Sequence, residues 1–197
     1  MRRLLAALLL VPAALAAATR QKLYILHSNA DDMSVVDVAT NRILGTLQVG
    51  RLPHGIAAPR SQDVLYVSTE GDRGLTVVDP RRDRTLRRYN VFGEHPNEID
   101  VTSDGRFLYV PSASEGVYEV FDTRAEKIVA RIPTDGRPHN VVVSPDDRFM
   151  YLAPLGANRK IYVVDARTHT VAATIPTANA PRPIAISPDG ARLYVNT

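Results

Sequence analysis

A unit of about 43 residues is written over and over along this 197-residue chain, and three independent markers share its period. Tyr24, Tyr66, Tyr109, Tyr151 and Tyr194 recur at spacings of 42, 43, 42 and 43. An Asp closes each Val-Val-Asp-like run at Asp37, Asp79, Asp122 and Asp165, and a Pro opens each unit at Pro53, Pro96, Pro138 and Pro181. Within a unit the apolar runs are short, β-branched and bounded by Pro, Gly, Asn or Asp, the pattern of short strands joined by tight turns. Helical repeats of similar length need apolar residues at helical spacing. Here the spacing is two, as in Ile184 and Ile186 or Leu193 and Val195.

Four strands in about 40–45 residues is the size of one β-propeller blade. The expected fold is therefore all-β: a propeller of four-stranded antiparallel blades, with about four and a third blades in this sequence. The blade units fall near 19–52, 53–95, 96–137 and 138–180, with a partial unit at 181–197. No helix or linker is expected to interrupt them. Strands are expected at Lys22–His27, Met33–Val38 and Arg42–Val49 in the first unit, and each later unit opens with its innermost strand. Those inner strands are Pro53–Ala58, Asn97–Val101, His139–Val143 and Pro183–Ile186. An open arc would leave two blade faces bare, each on the order of 500 Å² of apolar surface and roughly 10 kcal/mol at ~25 cal/mol per Å². The expectation is a longer chain, most simply a seven-bladed ring.

Met1 to Ala18 has the build of a cleavable secretory leader: Arg2-Arg3, an apolar run from Leu4 to Leu15, and small-residue cleavage sites at Ala14–Ala18. That run is shorter than the ~20 residues of a spanning helix, so a periplasmic or extracellular protein is expected. Without that leader, 22 basic face 21 acidic residues, which gives no electrostatic case for nucleic acid. The absence of Cys excludes disulfides, Cys-ligated metal centres and covalent haem. The one dense basic patch, Arg81, Arg82, Arg84, Arg87 and Arg88, reads as a solvated outer edge strand.

The words Ser-Pro-Asp-Gly-Ala-Arg-Leu-Tyr-Val-Asn-Thr (187–197), Ile-Tyr-Val-Val-Asp-Ala-Arg-Thr (161–168) and Thr-Val-Ala-Ala-Thr-Ile-Pro (170–176) resemble the YVTN β-propeller repeat family. The resemblance covers essentially all of the chain after the leader. It implies a secreted bacterial or archaeal propeller, similar in fold to lactonase, quinoprotein and nitrous-oxide-reductase propellers, and no single activity. Pro59-Arg60-Ser61-Gln62 departs from the family's Ser-Pro-Asp-Gly turn.

Most polar residues that repeat are explained by turns. Asp104, Asp146 and Asp189 suit tight hairpins, and Asp37, Asp79, Asp122 and Asp165 suit Asx-type turns. The recurring tyrosines are expected to point inward and fill the blade-to-blade core, with each OH finding a partner. His27 and His169 are expected to face solvent or be satisfied locally.

One series stands apart. The residue after each opening Pro is His54, Asn97, His139 or Arg182, with Arg51, Glu94, His95 and Arg137 close by in sequence. These positions enter the innermost strands, so the side chains should gather at the mouth of the central channel. Two readings fit: each bonds the backbone of the next blade, or together they bind a ligand on a rigid scaffold. No metal or other cofactor is expected. His54 and His139 belong to alternate blades, and packed sheets lie ~10 Å apart, whereas zinc ligands must converge within a few ångströms. A catalytic residue is not identified: Gly-x-Ser-x-Gly and Gly-rich phosphate loops are missing, although a lactonase-like propeller could use Glu94, Glu98 and His54. The expected role is a scaffold for a protein or small ligand through the channel-mouth face; the alternative is a periplasmic or redox-associated enzyme using the same face.

Overall fold

In the computed structural model, which describes residues 20–197, the chain forms seventeen strands in five antiparallel sheets. The first sheet is β1 (Lys22–His27), β2 (Asp32–Asp37) and β3 (Arg42–Gln48). The second is β4 (Pro53–Ala57), β5 (Leu65–Thr69), β6 (Gly74–Asp79) and β7 (Arg84–Tyr89). The third holds β8 (Asp100–Val101), β9 (Phe107–Ser112), β10 (Val117–Asp122) and β11 (Lys127–Pro133), and the fourth β12 (Arg137–Val143), β13 (Phe149–Leu155), β14 (Lys160–Asp165) and β15 (Thr170–Pro176). The last pairs β16 (Ile184–Ile186) with β17 (Leu193–Val195). Every sheet is a meander in chain order, and the inner strands β4, β8, β12 and β16 contact one another in succession. This is part of a β-propeller. The leader segment lies outside the described residues.

Burial follows the radial layout. The middle strands β5 and β10 are buried almost throughout, whereas β7 and β15 lie at the rim and are exposed along nearly all of their length. Apolar side chains fill the space between neighbouring sheets: Leu75, Phe92, Ile99, Leu108 and Phe121 join the second sheet to the third, and Tyr109, Tyr118, Val141, Met150 and Val164 join the third to the fourth. Arg82, Arg84, Arg87 and Arg88 at the rim pair with Asp79, Glu126 and Asp72, as expected of a charged edge strand.

The repeated aspartates are turn builders. Asp37 Oδ1 accepts from Thr40 N, Asp79 Oδ1 from Arg81 N and Arg82 N, Asp122 Oδ1 from Arg124 N and Ala125 N, and Asp165 Oδ1 from Arg167 N and Thr168 N, all at 2.8–3.1 Å. Each turn then carries a left-handed residue, Asn41, Asp83, Glu126 or His169, and each ladder that follows has an irregularity in register at the same place. The Ser-Pro-Asp series behaves likewise: Asp104, Asp146 and Asp189 accept from the backbone two residues on and from the preceding Thr or Ser hydroxyl.

Four expectations need correction. A short 3-10 turn over Glu70–Asp72 interrupts the all-strand pattern; Asp72 there accepts from Thr69 Oγ1 and pairs with Arg88, which favours a compact turn over an open hairpin. The inner strand of the third sheet begins at Asp100, not at Asn97, leaving one isolated bridge between Pro96 and Ser112. His169 is not satisfied locally: its Nδ1 lies 2.7 Å from Tyr109 Oη and its ring packs edge-on to Phe107, both in the preceding sheet. Tyr194 is 55% exposed, because the two-stranded sheet has no neighbour covering that face among the described residues. Three of the earlier tyrosines reach a partner on the following sheet: Tyr24 Oη meets Pro80 O and Asp83, Tyr66 Oη meets Gly105 O, and Tyr109 Oη meets His169.

Candidate functional site at the channel mouth

The inner strands β4 and β12 both break register near their first residues. The β4–β5 ladder slips between Pro53 and Ile56, and the β12–β13 ladder between Arg137 and Asn140. His54 and His139 sit inside these irregular stretches, so their positions are set by local bonds. His139 N donates to Tyr118 Oη at 2.9 Å, and that hydroxyl donates to Asn140 O at 3.0 Å. Tyr118 is completely buried, so it is a rigid post under the site.

Between these strands the third blade contributes an irregular segment. Gly55 N donates to Ser68 Oγ, which in turn donates to Asn97 O at 2.5 Å. A Cβ on Gly55 would lie 2.6 Å from Asn97 O and 2.8 Å from Ile99 N, so only glycine permits this approach. Asn97 itself is buried; its amide donates to Glu70, and its Oδ1 accepts from Glu98 N at 3.0 Å. These bonds consume the groups that would have extended the strand, which is why it starts late.

His54 and His139 therefore meet across the gap. Their ring centroids are 5.8 Å apart and nearly perpendicular, at 86°. Sequence reasoning held that histidines from alternate blades stay apart; the short third-blade strand and the two register slips bring them together. Each ring has a buried Nδ1 with no hydrogen-bond partner. Glu98 Oε1 lies 3.8 Å from His54 Nδ1, and His139 is only 6% exposed.

Burial pushes the His139 imidazole down from its usual 6.5 to about 4, aided by the nearby Arg182, His54 and Arg137 and opposed by the neighbouring Asn140 side-chain oxygen, which favours the charged ring. Arg182 and Arg137 are exposed and have no carboxylate within ion-pairing distance among the described residues. The cluster thus combines His54, His139, Arg137, Arg182 and Glu98. Asn97 is close in the fold but is occupied as a strut. Arg51 packs beside Gly71 of the 3-10 turn, and His95 is an exposed left-handed loop residue; neither has a described contact with the two histidines. Glu94 pairs with Arg73.

Two contributors were not singled out from the sequence. Tyr118 occupies the position four residues before the closing Asp, where the other units have Met33, Leu75 and Ile161. A lone hydroxyl in an otherwise apolar series was the available signal. Glu119, completely buried, holds Arg131 Nε at 3.0 Å and Gly93 N at 2.9 Å, anchoring the loop that leads to His95.

As for metals, no group of three or more His, Cys, Asp or Glu side chains with metal-holding geometry occurs among the described residues. The pair of histidines with one carboxylate near His54 is instead suited to hydrogen bonding and proton exchange with something entering from the channel.

The family model described as Lactonase, 7-bladed beta-propeller matches residues 42–197. The chain belongs to this lactonase family of propellers. Among solved structures, Kuenenia stuttgartiensis hydrazine synthase matches with 24% identity and a TM-score of 0.79, over 88% of this chain and 51% of that one. A dihydro-heme d1 dehydrogenase NirN in complex with DHE matches with 17% identity and a TM-score of 0.71, over 88% of this chain and 39% of that one. At these identities the likeness shows the fold alone, and the lactonase-family chain spans about half or less of the structures it matches. No curated protein matches it. No helix among the described residues is long and apolar enough to cross a membrane.

Proposed function

We propose that this chain is part of a secreted propeller of YVTN-type repeats that binds a small ligand at the channel mouth, over the His54–His139 pair. The observation that carries the reading is the paired, buried, unpartnered Nδ1 atoms of two histidines contributed by alternate blades. Leaving such groups unpaired costs about 1–3 kcal/mol each, a cost that is recovered when a ligand supplies the missing partner. Secretion rests on the Arg2-Arg3 and Leu4–Leu15 pattern.

A catalytic reading has one observation in its favour beyond the family match: Glu98 stands beside His54 as an acid–base pair would. The two readings separate in one experiment on the full-length protein. Thermal-shift screening with sugar lactones and organic acids is run on wild type and on the His54→Ala/His139→Ala variant, with product analysis of each lactone. Ligand-induced stabilisation lost in the variant, with the lactones intact, supports binding. Lactone opening that is lost in the variant supports catalysis. Ligand effects equal in both proteins would refute the channel-mouth site.

A further inference from the structure

We propose that the channel-mouth site takes a small oxyanion, a carboxylate, sulfate or phosphate group, together with one proton, seated over the His54–His139 ring pair on the side flanked by Arg182 and Arg137. The inference rests on the binding reading above and adds the chemical class of the ligand.

The charges around His139 come from every element packed near it. From β4 there is His54; from the segment before β8, Glu98 and the amide of Asn97; from the 3-10 turn, Glu70; from β12, Arg137 and the amide of Asn140; from the segment before β16, Arg182; and from β10, the Tyr118 hydroxyl. The carboxylates are partly engaged: Glu70 accepts from Asn97, and Glu98 lies on the His54 side. On the His139 side the fixed charges are the cationic Arg182 and Arg137, which pair with no carboxylate among the described residues. A cationic ligand group would be repelled there. An anionic group finds two guanidinium donors and two imidazole nitrogens that lack partners.

The proton follows from the same geometry. In the ligand-free site an imidazolium at His139 is opposed by burial and by Arg182, His54 and Arg137, which holds the ring neutral down to about pH 4. An oxyanion reverses the local sign and accepts a hydrogen bond from the protonated Nδ1. Binding therefore draws one proton from solvent onto His139, with no covalent change. Linkage then fixes the direction: affinity increases as pH falls toward 4, by about tenfold per pH unit while one full proton is taken up.

The test uses the full-length protein with isotope-labelled histidine and sulfate as the probe, since sulfate keeps its charge between pH 4.5 and 8. Histidine NMR titrations with and without sulfate are combined with calorimetry in two buffers of different ionisation enthalpy. The expected result is a rise of the His139 titration midpoint by about three units, from about 4 to near 7. Binding at pH 5.5 should take up close to one proton and be at least tenfold weaker at pH 7. Arg182→Gln, at an exposed position, should weaken sulfate binding tenfold or more while leaving spectral dispersion intact, and Glu98→Gln should strengthen it severalfold. Sulfate binding that leaves the His139 midpoint in place, or that is indifferent to Arg182→Gln, overturns the proposal. If a neutral sugar lactone perturbs the His139 resonance and sulfate does not, the oxyanion proposal falls while the channel-mouth site stands. If neither perturbs it, both fall.

Discussion

His139 owes its properties to its burial, to a single hydroxyl beneath it and to charges beside it. Because its imidazole is neutral in the fold down to about pH 4, while the unfolded chain takes up that proton near 6.5, the unfolded state binds more protons between those values. Stability is therefore fully present above pH 6.5 and declines as pH falls toward 4. His169, pushed down by burial and by Arg106, contributes in the same direction. Thermal melts of the full-length protein from pH 7 to 4.5 should show a falling Tm, with a shallower slope in His139→Gln. Tyr118→Phe removes the acceptor for His139 N and the donor to Asn140 O in a completely buried place. A loss of about 1–3 kcal/mol in chemical denaturation is expected, with a shift in the His139 NMR resonances. The first of these roles was half legible: His139 was named for its place after Pro138, but its neutrality depends first on burial by the packed blades and then on Arg182, forty-three positions later in the sequence.

At the scale of one strand or turn, the Asx turns show how directly composition becomes geometry. Asp122 bonds the two backbone N–H groups of Arg124 and Ala125 and pairs with Arg106. Asp122→Ala should cost about 1–2 kcal/mol by loss of these turn bonds, and Asp122→Asn less, measured by urea denaturation. The inner strand of the third sheet is the opposite case. Its alternation from Asn97 reads as strand, yet the Asn97 amide, Ser68 Oγ and the missing side chain at Gly55 tie that stretch into an irregular segment. Gly55→Ala places a methyl group against the backbone of Asn97 and Ile99. The expected cost is about 1–3 kcal/mol, and the His54–His139 ring contact should weaken, visible as a changed His54 titration. Local propensity specified the hairpins because their bonds lie within four residues. It missed the segment whose partners lie 29 and 27 residues away.

For the molecule as a whole, sheets joined through interleaved apolar side chains act as one body. Phe121 is completely buried, with its ring 5.0 Å from Tyr89 and 5.5 Å from Phe92, and sits in the cluster shared by the second and third sheets. Phe121→Ala should destabilise by about 3–5 kcal/mol, measured by denaturant unfolding of the full-length protein. The 43-residue period, the alternation of apolar residues and the turn aspartates were enough to determine the sheets and their order. They were enough because each depends on bonds between near neighbours in the chain. The meeting of His54 with His139, the cationic flank and the late start of the third inner strand were decided only by the tertiary structure. They arise where register slips and a glycine contact let backbone from three blades converge, and no period in the sequence encodes the distance between alternate blades.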